Sequence, residues 1–261
     1  VMERAGELDI PIWVLDRPNP ISGYHIEGPI LELEHKSFVG YYPIPIRYSL
    51  TIGELAVMIL AKKWISPIPN LEIILMQGWT RDLWYDETDL KWVKPSPNIP
   101  DLETALLYPG ICLLEGTNIS EGRGTKKPFK WIGAPWIDGE LLAIELDKEG
   151  FLGVEFISVE FIPIELPGIA IMPKYEGESC SGVQINITNR ETYNSVQVGL
   201  RILALVQKLH PEIIEFKPFL NNLWGRNGLI NQLKTSSALD QLIDSMEEET
   251  QSLDYSKYYL Y

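Results

Sequence analysis

One stretch constrains this chain more than any other: Glu115-Gly116-Thr117-Asn118-Ile119-Ser120-Glu121-Gly122-Arg123-Gly124-Thr125. It follows an apolar run, residues 111–114, that reads as a short buried strand, and then turns abruptly polar. Two carboxylates, an arginine, three hydroxyls, an asparagine and three glycines fall within eleven residues. Glycine permits backbone conformations that a side chain forbids and lets a ligand approach the main chain. Polar groups at the end of a buried strand are where open α/β sheets place their sites. Two readings of the stretch stand side by side. In one it is a ligand site; in the other it is a Gly-rich connection holding a structural ion pair such as Glu115 with Arg123.

Composition narrows the partners. A formal charge of −14 across 261 residues argues against nucleic acid, which is bound through clustered Lys and Arg, and against an anionic membrane surface. No apolar run reaches the length of a bilayer span. Cys112 and Cys180 are too few for a disulfide framework, and Cys112 sits in an apolar run where it packs as a small hydrophobe. His25 and His35 are isolated, with no HxH or HExxH spacing, so neither a metal nor another cofactor is called for.

Along the chain, strands are expected at residues 10–15, 71–76, 154–163 and 182–188. The run 71–76 is continuously apolar, as in a buried parallel sheet. A helix starts at Thr51, with Glu54 completing a capping box, and runs to about Trp64. Further helices are expected at 102–107, 139–147, 196–209, 228–235 and 238–247. Asp16, Arg17 and Asn19 stand on a loop stiffened by Pro18 and Pro20, either as a ligand-facing lip or as a well-made turn. Trp79, Trp84, Tyr85 and Trp92 form an aromatic segment that could stack on sugars or fill a core. The closing residues 255–261 are aromatic and are expected to dock on the body. Strands alternating with helices give an α/β architecture, with a change of texture near Tyr108 that divides residues 1–108 from 109–261.

Four blocks in order carry a resemblance: Leu15-Asp16-Arg17-Pro18-Asn19-Pro20; Ser37-Phe38-Val39-Gly40 with Tyr42-Pro43-Ile44-Pro45; Gly53-Glu54-Leu55-Ala56; and Ala105-Leu106-Leu107-Tyr108-Pro109-Gly110 leading into residues 115–125 and Gly133-Ala134-Pro135-Trp136. In these the chain resembles the NamZ family of exo-β-N-acetylmuramidases. The resemblance implies a Rossmann-like N-terminal domain, here partial, a smaller α/β C-terminal domain and an active-site cleft between them. It implies release of N-acetylmuramic acid from non-reducing ends of peptidoglycan, outside the cytoplasm. Glu115 and Glu121 are then the catalytic candidates. Thr117, Asn118, Ser120, Arg123 and Trp136 are substrate-binding candidates, with Asp16, Arg17 and Asn19 facing the same cleft from the other domain. The chain departs from the family twice. Family members carry a preceding half-domain with a Pro-Glu-His-Gly motif, the expected source of a catalytic acid, so the chain reads as N-terminally truncated. Where the family tends to show Arg-His-Gly, this chain has Arg47-Tyr48-Ser49.

Overall fold

A computed structural model describes residues 1–261 and shows a mixed α/β chain. In order, the elements are α1 (Met2–Glu7), β1 (Ile12–Leu15), β2 (Ile26–Ile30), β3 (Pro45–Tyr48), α2 (Ile52–Ala61), β4 (Leu71–Ile74), α3 (Leu102–Ile111), β5 (Trp131–Ala134), α4 (Gly139–Asp147), β6 (Val154–Phe161), β7 (Cys180–Ile187), α5 (Ser195–Leu209), α6 (Phe219–Trp224), α7 (Leu229–Gln232) and α8 (Ser236–Gln251). Two compact units result. The first holds Val1–Ile26, Arg47–Trp92 and Ser252–Tyr261; the second holds Glu27–Ile46 and Val93–Gln251.

In the first unit, β1 and β4 pair in parallel, from Ile12 opposite Leu71 to Leu15 opposite Ile74. The strand expected to be buried at 71–76 is instead partly open: β4 alternates between half-buried and exposed residues, and Leu75 is 53% exposed. Each strand of the pair has only one hydrogen-bonded neighbour, so the sheet lacks the depth that buries both faces of a parallel strand. Helix α2 begins as its sequence dictates. Thr51 Oγ1 accepts from Glu54 N, and Glu54 accepts from Thr51 N, which satisfies two donors at the helix start.

Glu54 does more than cap. It is fully buried, and its Oε1 accepts from Arg81 Nη1 at 2.6 Å and from Leu260 N at 2.9 Å. The Arg81 guanidinium lies 3.5 Å from the Tyr259 ring centroid. The chain's last residues therefore dock in this unit, as their aromatic character suggested. Trp79 and Trp84 are buried, so that part of the aromatic segment fills the core. Ser49 is buried with φ +62°, a left-handed conformation that costs an L residue about 1–2 kcal/mol. The resemblance drawn from the sequence leads one to expect glycine at this position.

In the second unit, β5, β7 and β6 form an antiparallel sheet with β7 central. Its core draws on Leu107, Ile111, Phe129, Ile132, Val183, Ile185 and the buried face of α5. The expected strand at 111–114 does not form. Helix α3 continues through Pro109 to Ile111 and tightens into a 3₁₀ turn, Cys112–Gly116. Proline in a helix removes an amide donor and clashes with the preceding turn. Here the turn is held from outside: Gly110 N donates to Ser195 Oγ, which donates to Leu107 O, both at 2.9 Å. Gly110 and Gly199 let α3 and α5 meet, since a Cβ on Gly110 would lie 1.7 Å from Ser195 O. Asp101 caps α3 by accepting from Thr104 N and pairs with Lys130 Nζ at 3.1 Å. Both cysteines are free, and burial pushes the Cys112 thiol up to about 12 and the Cys180 thiol up to about 11.

Candidate functional site

The polar stretch is a wire tied down on both sides. Thr117 Oγ1 donates to Leu114 O and accepts from Ile119 N, closing the turn after the 3₁₀ segment. Asn118 clamps a distant segment: its Nδ2 donates to Ile213 O and its Oδ1 accepts from Glu215 N, both at 2.9 Å. Ser120 bridges to Gly133 of β5, and its Oγ accepts from Gly122 N. Gly122 and Gly124 have φ +74° and +80°. A Cβ would lie 2.3 Å from Trp131 O at the first and 2.5 Å from Ile164 O at the second. These two glycines are required by both dihedral and space.

With its backbone so fixed, the stretch presents charges to one place. Arg123 Nη2 donates to Glu115 Oε1 at 2.9 Å, and Arg123 Nε lies 3.3 Å from Glu121 Oε1. The Arg123 guanidinium sits over the Phe129 ring at 5.2 Å. Glu121, with a side chain only 7% exposed, is held from its other oxygen by Lys174 Nζ at 2.9 Å. The carboxylates and cations balance. Burial opposes the charge of Arg123, but Glu115 and Glu121 outweigh it and raise its pKa. For Lys174 burial dominates and lowers the pKa, against the pull of Glu121. Burial also raises the nearby Tyr108 hydroxyl, with Cys112 and Glu115 adding to it.

Glu115, Glu121, Arg123 and Lys174 line a cleft of about 290 Å³ whose remaining wall is Ile169, Ala170, Ile171, Met172 and Pro173. It is a polar floor with an apolar side. No side-chain hydrogen bond engages Nη1 of Arg123, and a third of the side chain is exposed.

The sequence candidates separate into groups. Glu115, Glu121 and Arg123 converge on the cleft, with the Glu115–Arg123 ion pair formed. The side chains of Thr117, Asn118 and Ser120 are engaged in holding the wire. Trp136 Nε1 donates to Tyr175 OH, and its ring packs edge-on to His210. In the first unit, both oxygens of Asp16 are engaged: Oδ1 accepts from Arg17 N and Gly53 N, Oδ2 from Thr51 Oγ1 and Tyr261 OH. Asn19 donates to Leu50 O and accepts from Ile21 N, while Arg17 is exposed. Sequence reasoning passed over Lys174 and the segment around it. Its signals were a lone lysine after an apolar run and the punctuation of Pro163, Pro167-Gly168, Pro173 and Gly177.

Comparison with known proteins covers the whole chain. Residues 1–103 match the family model of the N-terminal part of the exo-β-N-acetylmuramidase NamZ, and residues 106–261 match that of its C-terminal part. The peptidoglycan β-N-acetylmuramidase NamZ of Bacillus subtilis is 40% identical over 264 aligned residues, covering all of this chain and 62% of that protein. The chain thus spans less than two thirds of the curated relative it matches. Crystal structures of two DUF1343 family proteins from Bacteroides fragilis superpose on the whole chain. One has a TM-score of 0.90 at 29% identity over 68% of its own length, the other 0.74 at 28% over 69%. With both family models matched in order along its length, the chain belongs to the NamZ family.

Proposed function

We propose that this chain forms part of a peptidoglycan glycoside hydrolase that releases N-acetylmuramic acid from non-reducing ends, and that the cleft of Glu115, Glu121 and Arg123 is its sugar site. The observation that carries the reading is the convergence of two carboxylates on one arginine in a cleft with an apolar side wall, in a chain of this family. Muramic acid carries a lactyl ether, a carboxylate beside a methyl group. Arginine suits carboxylate recognition, and Nη1 of Arg123 is the donor available for it. The apolar wall suits the methyl group and the sugar's C–H face. Glycoside cleavage passes through an oxocarbenium-like state, which a fixed carboxylate stabilises and a protonated carboxyl group initiates. Peptidoglycan places the work outside the cytoplasm.

The ion pairing favours one division of labour. Carboxylates tied to Arg123 and Lys174 are suited to binding, orienting and opposing positive charge, so the proton for the leaving oxygen comes from a group outside this cleft. A second reading follows from the same pairing, in which these residues form a sugar-binding module without turnover of its own.

Glu115→Gln and Glu121→Gln, made separately in the complete enzyme and assayed by mass analysis of products from a MurNAc–GlcNAc disaccharide, are each expected to lower turnover by about tenfold or more. Wild-type turnover in both would end the catalytic proposal. Retained binding of muramic acid by this chain, with no turnover in the complete protein, would favour the module.

A further inference from the structure

The residues 163–177 form a compact loop closed at its neck, where Gly177 N donates to Pro163 O at 2.8 Å. Its inner turn is closed by a pair of backbone bonds between Leu166 and Ala170, each 2.9 Å. Loops of this form, with close ends and internal packing, are frequently functional. The loop is fastened to the polar stretch at several points. Ile164 N donates to Gly124 O and Tyr175 OH donates to Asn118 O, and from outside that stretch the buried Asn98 donates to Ile169 O. Its outer residues Ile171 and Met172 are 68% and 80% exposed at the rim of the cleft.

The strongest fastening is Lys174. An ammonium has three N–H donors. All are used here, on Leu114 O at 2.8 Å, Ile119 O at 2.8 Å and Glu121 Oε2 at 2.9 Å. Lys174 therefore has no donor left for a ligand, although it lines the cleft. Glu121 in turn offers its other oxygen to Arg123. The order of connection runs from the loop through Lys174 to Glu121 and on to Arg123. We infer that Lys174 is a positioning residue, which fixes the Glu121 carboxylate and couples its orientation to closure of the loop that walls the cleft. This rests on the cleft being the sugar site, as proposed above.

A double-mutant cycle in the complete enzyme tests it. Lys174→Met is expected to lower kcat by about tenfold to a hundredfold, with KM for the MurNAc–GlcNAc disaccharide unchanged within about twofold. In a Glu121→Gln background the same change is expected to cost nothing further, because Lys174 acts through Glu121. Additive losses, or a loss confined to KM, overturn the inference. If Glu121→Gln keeps wild-type turnover while Glu115→Gln loses it, the inference is overturned and the functional reading stands; if both keep wild-type turnover, the functional reading fails instead. The coupling to the loop is then decided by limited proteolysis: Lys174→Met is expected to be cut within 163–177 at least about tenfold faster than wild type while both stay folded. Equal cutting overturns it. Should Lys174→Met not fold, Lys174→Gln, which retains a donor for the carbonyls without the charge, takes its place in both measurements.

Discussion

Replacing Glu54 by alanine is expected to lower the unfolding free energy of the unit that contains it by about 3–5 kcal/mol, because it leaves a buried guanidinium without its counter-charge. Glu54 is fully buried and Arg81 is 5% exposed, so bulk solvent does not screen the guanidinium once its counter-charge is gone. The same change removes the acceptor for Thr51 N at the start of α2 and for Leu260 N in the docked tail. A cap alone contributes about 1 kcal/mol. The larger part of the loss is therefore the stranded Arg81. The exposed pair Arg4–Glu7 supplies the control, since its charges are 70% and 44% exposed. Glu7→Ala is expected to change stability by about 1 kcal/mol at most. Chemical denaturation of the two variants beside wild type measures both. A Glu54→Ala loss no larger than that of Glu7→Ala would mean that Arg81 finds another partner.

Gly122→Ala is expected to be the most damaging single methyl group in the polar stretch. Two effects add. The left-handed φ of +74° costs an L residue about 1–2 kcal/mol. The new Cβ would also lie 2.3 Å from Trp131 O and 3.0 Å from Lys127 O, both backbone atoms with little freedom to move. Gly150 separates these effects, because it has φ +70° and nothing within 4 Å of a Cβ. Gly150→Ala is expected to show the dihedral cost alone, while Gly122→Ala exceeds it by about 1–3 kcal/mol of overpacking. Gly122 lies between Glu121 and Arg123, so displacement of its backbone also moves both charges. The expected result is a stability loss accompanied by weaker binding of muramic acid. Equal losses in the two variants by denaturation would show that the backbone at Gly122 relaxes without strain.

Local chemistry made parts of this fold legible. Thr51 and Glu54 announce a capping box, and the structure forms it. The helix expected at 139–147 is α4, with those bounds. The run Ile111, Cys112, Leu113 and Leu114 misled because it is fully apolar and buried, a pattern that suits a core strand and a core helix equally. The expected helix ended at residue 107, ahead of the pair Pro109-Gly110. What carries the helix through it is the hydroxyl of Ser195, far along the chain, and no local pattern encodes that partner. The site divides the same way. Glu115, Glu121 and Arg123 lie within one short segment and were visible together. Lys174 joins them through a loop whose path depends on backbone bonds to Gly124 and Pro163. Asp16 stood on a proline-stiffened loop that read either as a ligand-facing lip or as a well-made turn, and its oxygens hold the start of α2 and the docked tail.

The central claim is that the cleft beside Glu115, Glu121 and Arg123 receives muramic acid. The measurement that bears on it most directly is a crystal structure of this chain soaked with N-acetylmuramic acid, beside the Arg123→Met variant treated alike. The expected result is the sugar in the cleft with its lactyl carboxylate on Arg123, and an empty cleft in the variant. Sugar bound away from this cleft, or bound equally well in both proteins, would contradict the claim.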